Sequence, residues 1–223
     1  MDRERWIGER RAAVVTEYDA EAVTYDQFPY PNEVQQQWVR RLLRTCPAGG
    51  LVLDAACGTG QYFSLVAEAG LRVVGADQSA GMLDQARARG IALETLHVGL
   101  QELDFSGRFD AAMTIDAMEN VAPEDWPVVL ANLRRAVRPG GHIYLTVEEQ
   151  DQADIDAAFA ELVRRGAPAV RGEVIDGDVA GYHYYPDREQ VLRWTAAEGL
   201  EIVDETFDQQ EGWGYRHFLL RSP

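Results

Sequence analysis

Two acids and a glycine-bearing turn are where this sequence could do chemistry. The run Leu51-Val-Leu-Asp54-Ala-Ala56-Cys57-Gly58-Thr59-Gly60 joins an apolar strand that ends in an acid to a turn leading into a helix. Glycine admits positive φ and lets a ligand approach the backbone, and the helix start beyond it supplies unpaired N–H groups. A dinucleotide fingerprint, G-x-G-x-x-G, would fall on Ala56, Gly58 and Gln61, and only Gly58 fits. The loop has no lysine to make it a phosphate-cradling P-loop, and a carboxylate at Asp54 would repel a pyrophosphate. An acid at the strand end suits a cationic group instead. A second acid ends Val73-Val74-Gly75-Ala76-Asp77, seventeen residues beyond Gly60, where an adjacent parallel strand would set it beside the first. A carboxylate there can accept both hydroxyls of a ribose. A nucleoside without phosphate but with an ammonium group is the ligand the pair describes.

Those acids need a parallel sheet to bring them together. From about residue 51 short β-branched runs alternate with amphipathic helical stretches, the pattern of a parallel sheet covered on both faces. Strands are expected over 51–55, 72–76, 93–98, 109–115 and 142–147. Ser79 is placed to N-cap a helix carrying Met82, Leu83 and Ala86 on one side, and Gly90 to end it. Pro123 is expected as a first helical residue, followed by Glu124 and Asp125. Arg134, Arg135 and Arg138 then stand at the end where the helix dipole favours cations. A helix over about 186–198, closed by Gly199, leads into two strand-like runs, 200–207 and 215–221, too close in sequence to pair other than antiparallel. Before residue 50 the chain reads as helical, with Val34, Trp38 and Leu42 at i, i+4 and i+8. Residues 166–185 have no clear period, and a loop of that length is expected to cover a site.

The 223 residues, 46% hydrophobic and 26% charged, suit one compact domain with its own core. Within it 1–48 reads as a helical cap, 49–149 as the ligand-binding core, 150–185 as a helix and lid loop, and 186–223 as the last helix and hairpin. Lys plus Arg number 21 against 37 Asp plus Glu, a formal charge of −16 that repels phosphate backbones and anionic lipid. Nucleic acid and membrane surfaces are not expected as partners. The nearest basic patch, Arg40, Arg41 and Arg44, reads as the solvated face and last turn of a helix. Two cysteines, Cys46 and Cys57, make neither a disulfide framework nor a zinc site. No apolar run approaches the roughly 18 residues of a bilayer span. The charged start, MDRERWIGERR, lacks the apolar stretch of a signal peptide, so a cytoplasmic protein is expected.

S-adenosylmethionine is a nucleoside of the kind the two acids describe, and the sequence resembles the class I S-adenosylmethionine-dependent methyltransferases of the small-molecule type. The resemblance rests on VLDAACGTG, VVGADQSAGML, FDAAMTIDAMENV and RAVRPGGHIYLTVE, in that order over about 51–149. The terminal hairpin also matches the family's reversed last strand. It implies an α/β fold: a Rossmann-like, doubly wound, seven-stranded mixed sheet with a C-terminal antiparallel hairpin and an N-terminal helical cap. It also implies S-adenosylmethionine as cofactor and S-adenosylhomocysteine as product. By the same resemblance Asp54 and the backbone from Ala56 through Cys57 and Gly58 to Gly60 would hold the methionine portion. Asp77 would hold the ribose, and Gln78 with Met82 would surround the adenine. Thr114 and Ile115 would offer backbone to the ammonium, and Tyr18 would approach the cofactor from the cap. Two departures are visible. The family's first loop glycine is Ala56 here, and the acid that often binds the adenine amino group is Leu100, which leaves the adenine to backbone around Leu100 and Gln101.

Methyl transfer from a sulfonium is an in-line displacement in which alignment supplies much of the acceleration, and a base is needed only where the acceptor loses a proton. Four segments could cover the methyl group. In the first, Tyr18, Tyr25, Phe28 and Tyr30 form either a cap over the pocket or an aromatic packing surface. In the second, the family's frequent Glu-His pair has become Glu119-Asn120, leaving Glu119 as a base raised in pKa by burial or as a structural carboxylate. In the third, Tyr182-His183-Tyr184-Tyr185 could line a pocket for an aromatic acceptor with His183 as base, or be ordinary packing. In the fourth, Trp213, Tyr215 and His217 enter the last strand, where Tyr215 and His217 share a face and His217 reads better as a core residue. Glu148 and Glu149 end the fifth strand at the ligand-binding edge, exposed by default, with one of them a candidate to face the acceptor. The activity expected is methyl transfer to O, N or C of a small aromatic or apolar metabolite, in secondary metabolism. The alternatives are an S-adenosylmethionine sensor, a non-catalytic partner subunit, or an enzyme that uses the sulfonium without transferring methyl.

Overall fold

The computed structural model describes residues 2–27, 32–175 and 181–223. Along the chain run α1 (Arg3–Glu21), α2 (Glu33–Leu43), β1 (Leu51–Ala55), α3 (Phe63–Glu68), β2 (Arg72–Asp77), α4 (Ala80–Ala88), β3 (Glu94–His97) and β4 (Phe109–Thr114). Then follow α5 (Trp126–Ala136), β5 (Val137–Gln150), α6 (Gln152–Arg164), β6 (Glu173–Ile175), β7 (Tyr182–Tyr184), α7 (Arg188–Ala197), β8 (Glu201–Gln209) and β9 (Trp213–Arg221). Seven strands form one sheet in the order β3-β2-β1-β4-β5-β9-β8. The first five are parallel, and β9 lies antiparallel to both β5 and β8, as the short connection before it requires. The chain therefore forms the expected mixed sheet with its reversed terminal hairpin.

Side-chain alternation gives the sheet two apolar faces. Leu51, Leu53 and Ala55 of β1 pack with Val129, Leu130 and Leu133 of α5, while Val52 packs with Leu42 of α2 and Phe63 of α3. Strand order reverses between β1 and β4, and ligands of open α/β sheets bind in the crevice at such a switch point. Asp54 lies opposite Gly75, so Asp77 ends the neighbouring strand two residues further on. Both carboxylates stand at that crevice.

Local punctuation follows the sequence in α4, where the Ser79 hydroxyl accepts from the Met82 N–H at 3.1 Å and Gly90 takes φ +66°. Arg40 and Arg41 fill the last turn of α2 and Arg44 caps it. Elsewhere boundaries move. Helix α5 starts at Trp126 with Pro127 in its first turn, because Pro123 belongs to a turn closed by the Asp125 N–H donating to the Ala122 carbonyl at 2.8 Å. Arg138 is in β5, which also contains Pro139-Gly140-Gly141 at a shift in its pairing with β4. Helix α7 starts at Arg188, since Asp187 caps it by accepting from the Gln190 N–H at 2.7 Å.

The largest correction concerns 166–185, expected as an aperiodic cover loop. Its described part contains the hairpin β6–β7. Glu173 of β6, fully buried, accepts from both Arg3 terminal nitrogens at 2.6 and 2.7 Å, from the Tyr182 hydroxyl at 2.7 Å and from the Val170 N–H at 2.7 Å. That network ties the start of α1 to the hairpin. At its other end α1 is held by Asp19, whose carboxylate accepts from the Ser79 hydroxyl at 2.6 Å and the Gly81 N–H at 2.9 Å. Among the described residues no helix is long and apolar enough to cross a membrane.

Candidate active site

A cavity open to solvent occupies the crevice beneath α1, at the switch point where open α/β sheets bind ligands. Of the residues expected around a cofactor, Tyr18, Asp54, Ala56, Cys57, Gly58, Asp77, Gln78, Met82, Leu100, Gln101 and Ile115 all line it. Of those expected around an acceptor, Tyr25 and Asn120 do.

The turn after β1 alternates in handedness, with φ +61° at Ala56, +51° at Gly58 and +77° at Gly60. The glycines differ in purpose. A Cβ on Gly58 would meet nothing within 4 Å, so the backbone there is open to a ligand. A Cβ on Gly60 would lie 2.5 Å from the Phe63 ring, so this glycine makes room for α3 and does not line the cavity, contrary to the expected cofactor role. Ala56 pays the left-handed penalty of about 1–2 kcal/mol that a glycine escapes. Ala56→Gly is therefore expected to raise stability by about 1 kcal/mol, or 2–4 °C in melting temperature at this chain length, with cofactor affinity unchanged. A lower melting temperature in thermal denaturation would contradict the strain.

The Asp54 side chain is 2% exposed, and its Oδ2 has no hydrogen-bond partner among the described residues. Burial, with Asp77 nearby, pushes its carboxyl up to about 8. Asp77 is also raised by burial, less so because its two oxygens accept from the Gly58 N–H and the Ser79 N–H, each at 2.8 Å. Each oxygen keeps a second lone pair for a ribose hydroxyl. The 3₁₀ turn Leu100–Glu102 is anchored from behind by Asn132, whose amide donates to the carbonyls of Leu100 and Gln101 at 3.1 and 2.8 Å.

Across the cavity stands a residue the sequence reading passed over for its neighbour. Asp116 lines the wall at φ +48°, a conformation aspartate tolerates better than most residues. Its N–H donates to the Thr146 hydroxyl at 2.8 Å. Its oxygens accept from the Gln35 amide at 2.8 and 2.9 Å, with further hydrogen bonds from Thr146 and Tyr215. Gln35, itself fully buried, accepts from the Tyr62 hydroxyl at 3.1 Å. Burial and the charge of Glu148 lift the Asp116 carboxyl to about 7. A polar Gln35 on the buried stripe of α2, between Val34 and Trp38, was the sequence signal for this arrangement. Asp26 is the other missed anchor. It accepts from the Thr59 hydroxyl at 2.6 Å and the Gln61 amide at 2.9 Å and pairs with Arg89, so Tyr25 beside it is held at the mouth.

The remaining expected residues lie elsewhere. Glu119 is buried behind the wall in the 3₁₀ turn Met118–Asn120, while Asn120 donates to the Tyr18 hydroxyl at 3.2 Å. Thr114 is fully buried and does not line the cavity. Tyr182 is drawn to Glu173 and packs edge-on to Trp6 at 5.9 Å, and Tyr184 packs against Trp194. His183 stacks with Tyr185 at 5.7 Å and does not line the cavity. Trp213 is 40% exposed, its ring edge-on to Tyr215, and Glu148 is engaged by the Gln150 amide at 2.6 Å. His217 is a core residue: its Nδ1 meets the Tyr144 hydroxyl at 2.9 Å, its ring stacks on Trp38, and burial lowers it to about 4. Phe28, Tyr30 and 176–180 lie outside the described residues.

Fold and crevice together define a doubly wound α/β protein with two carboxylates, Asp54 and Asp77, lining the crevice at the switch point. Residues 52–141 match the family described as Methyltransferase domain. A demethylmenaquinone methyltransferase of Corynebacterium urealyticum is 30% identical over 206 residues, 85% of this chain and 86% of that protein. A malonyl-[acyl-carrier protein] O-methyltransferase of Pectobacterium atrosepticum is 31% identical over 193 residues, 82% and 73% of the two chains. In structure the chain is similar to Burkholderia thailandensis 1,6-didemethyltoxoflavin-N1-methyltransferase with bound S-adenosylhomocysteine. The TM-score is 0.69 at 18% identity, covering all of this chain and 91% of that one. The protein belongs to the class I S-adenosylmethionine-dependent methyltransferases. The residues present fit that cofactor, with an orphaned carboxylate oxygen on Asp54 for a cation and an open backbone at Gly58.

Proposed function

We propose that the protein methylates a small metabolite with an aromatic or apolar body, held under α1 in the same cavity as its cofactor. The observation that carries this is continuity: Asp54 and Asp77 share one cavity with Val14, Tyr18, Tyr25, Asp116 and Val121. S-adenosylmethionine supplies an electrophilic methyl group on a positively charged sulfur. Asp54, with the backbone at Ala56–Gly58, is assigned to its methionine portion, Asp77 to the ribose, and Gln78, Met82, Leu100 and Gln101 to the adenine. Tyr18 and Tyr25 would exclude water and align the acceptor, which for a displacement supplies much of the rate. Where the acceptor must lose a proton, Asp116 is assigned as base in place of His183 or Glu119, since its carboxylate is the one on the wall.

Calorimetry with S-adenosylmethionine and S-adenosylhomocysteine, then a panel of metabolites watched for S-adenosylhomocysteine release, tests the reading. Asp77→Ala is expected to lose about tenfold or more in cofactor affinity, in keeping with two lost charge-assisted hydrogen bonds. Undiminished affinity would remove the ribose assignment. Tight cofactor binding with no product from any acceptor would favour a sensor.

A further inference from the structure

Charge around the acceptor end of the cavity is one-sided. Asp116 lines the wall, and Glu119 lies behind it, 6% exposed, its Oε2 without a hydrogen-bond partner among the described residues. The charge of Glu148 reaches both. The groups that hold Asp116 are neutral: Gln35, Thr146 and Tyr215. The sequence contains no lysine. Among the described residues the one cation on the cavity wall is Arg11, already paired with Asp125. Phenols complete the surround, Tyr18 and Tyr25 meeting edge-on with ring centroids 6.2 Å apart.

An anionic acceptor would add another negative charge to these carboxylates. A neutral hydroxyl would have to ionise against them. A basic nitrogen behaves in the opposite way. Its N–H groups can donate to Asp116, its positive charge is stabilised by Glu119 and by phenol π-faces, and that stabilisation grows as charge moves from sulfur to nitrogen in the transition state.

We propose that the acceptor is a primary or secondary amine on a small apolar or aromatic body, methylated on nitrogen, with Asp116 and Glu119 as the carboxylates that select it. The inference rests on the reading above, that donor and acceptor share this cavity. In the step itself the bound ammonium first passes one proton to the Asp116 carboxylate, and the lone pair so freed forms the new N–C bond as the methyl–sulfur bond breaks. The bonding pair remains on sulfur, and the positive charge ends on the methylated nitrogen. Burial and mutual repulsion hold Glu119 well above the usual carboxyl range, as expected of acids gathered with no cation among the described residues to balance them.

The test uses the full chain saturated with S-adenosylhomocysteine and titrates benzylamine and phenethylamine against benzyl alcohol, 2-phenylethanol and phenylacetate. The amines are expected to bind about tenfold or more tighter than their alcohols, as charge-assisted hydrogen bonds to a partly buried carboxylate allow. With S-adenosylmethionine they are expected to give N-methyl products by mass spectrometry. Glu119→Gln is expected to narrow the amine preference, and Asp116→Asn serves as the second variant if that protein folds poorly. Alcohol or carboxylate binding as tight as amine binding, or no amine bound by protein that holds S-adenosylhomocysteine, overturns the inference and leaves the proposed function standing. Failure to bind the nucleoside at all overturns both.

Discussion

Asp54→Asn is expected to melt at a higher temperature than the unaltered protein near pH 8 and to bind S-adenosylmethionine far more weakly. The two effects have one cause. In the folded protein burial lifts the Asp54 carboxyl to about 8, against about 3.9 in an unfolded chain. A carboxyl raised on folding stabilises fully below its unfolded value, and that contribution is lost as pH climbs from about 4 to about 8. The unaltered protein therefore carries a cost at neutral and alkaline pH that asparagine never incurs. Allowing for an unmatched amide on the new side chain, the gain is about 1–3 kcal/mol, with each kcal/mol worth 2–4 °C at this length. Melts at about pH 5 and about pH 8 check the sign, since the difference between variant and parent must shrink on acidification. The affinity loss comes from removing one partner of a buried charge pair, about 3–5 kcal/mol and therefore at least ~100-fold. A variant that melts lower than its parent at the alkaline pH, or that binds the cofactor as well, would remove Asp54 from the proposed site.

Asp116→Asn is expected to cut kcat by about 10²–10⁴-fold with acceptors that shed a proton, the usual worth of a positioned base. Asparagine accepts the same left-handed backbone, so the loss should not be one of folding. The pH dependence carries its own sign. Because Asp116 is raised to about 7 and works only when ionised, kcat/KM of the unaltered enzyme should fall as pH drops below about 7, and the variant should lose that inflection. A tertiary aryl amine, unprotonated near neutral pH and with no proton to lose, should be methylated with a much smaller penalty. Gln35→Leu, which strips the bond that orients the carboxylate, should depress kcat without abolishing the inflection. A pH profile in Asp116→Asn matching the parent's would assign the proton to another group.

Much of this could be read along the chain because it is local. The strand ending in Asp54, the turn through Gly58 and the cap at Ser79 each depend on residues within a few positions of one another, and period-2 and period-3.6 patterns report which faces are buried. Asp77 beside Asp54 needed one further rule, that consecutive parallel strands align their C-terminal ends. What failed was three-residue strands and mixed roles within one motif. Strands β6 and β7 are too short to show a period, and Tyr182 does not line the cavity because its hydroxyl donates to Glu173, which is held by a part-buried ion pair with Arg3, 170 residues away. Gly60 belongs to the motif by letter, yet the space its missing Cβ leaves is filled by Phe63.

The sequence by itself determined the sheet, the cofactor edge and the sign of the ligand's charge, since each follows from backbone preference and the placing of acids at strand ends. Only the tertiary structure decided that Asp116 lines the cavity while Glu119 does not. Asp116 reaches the wall through a left-handed turn clamped by Gln35, 81 residues earlier, and Thr146, 30 residues later. No spacing along a chain encodes which distant donors will meet a carboxylate. That depends on how α2 packs across β4 and β5, and burial among neutral donors then sets the proton affinity.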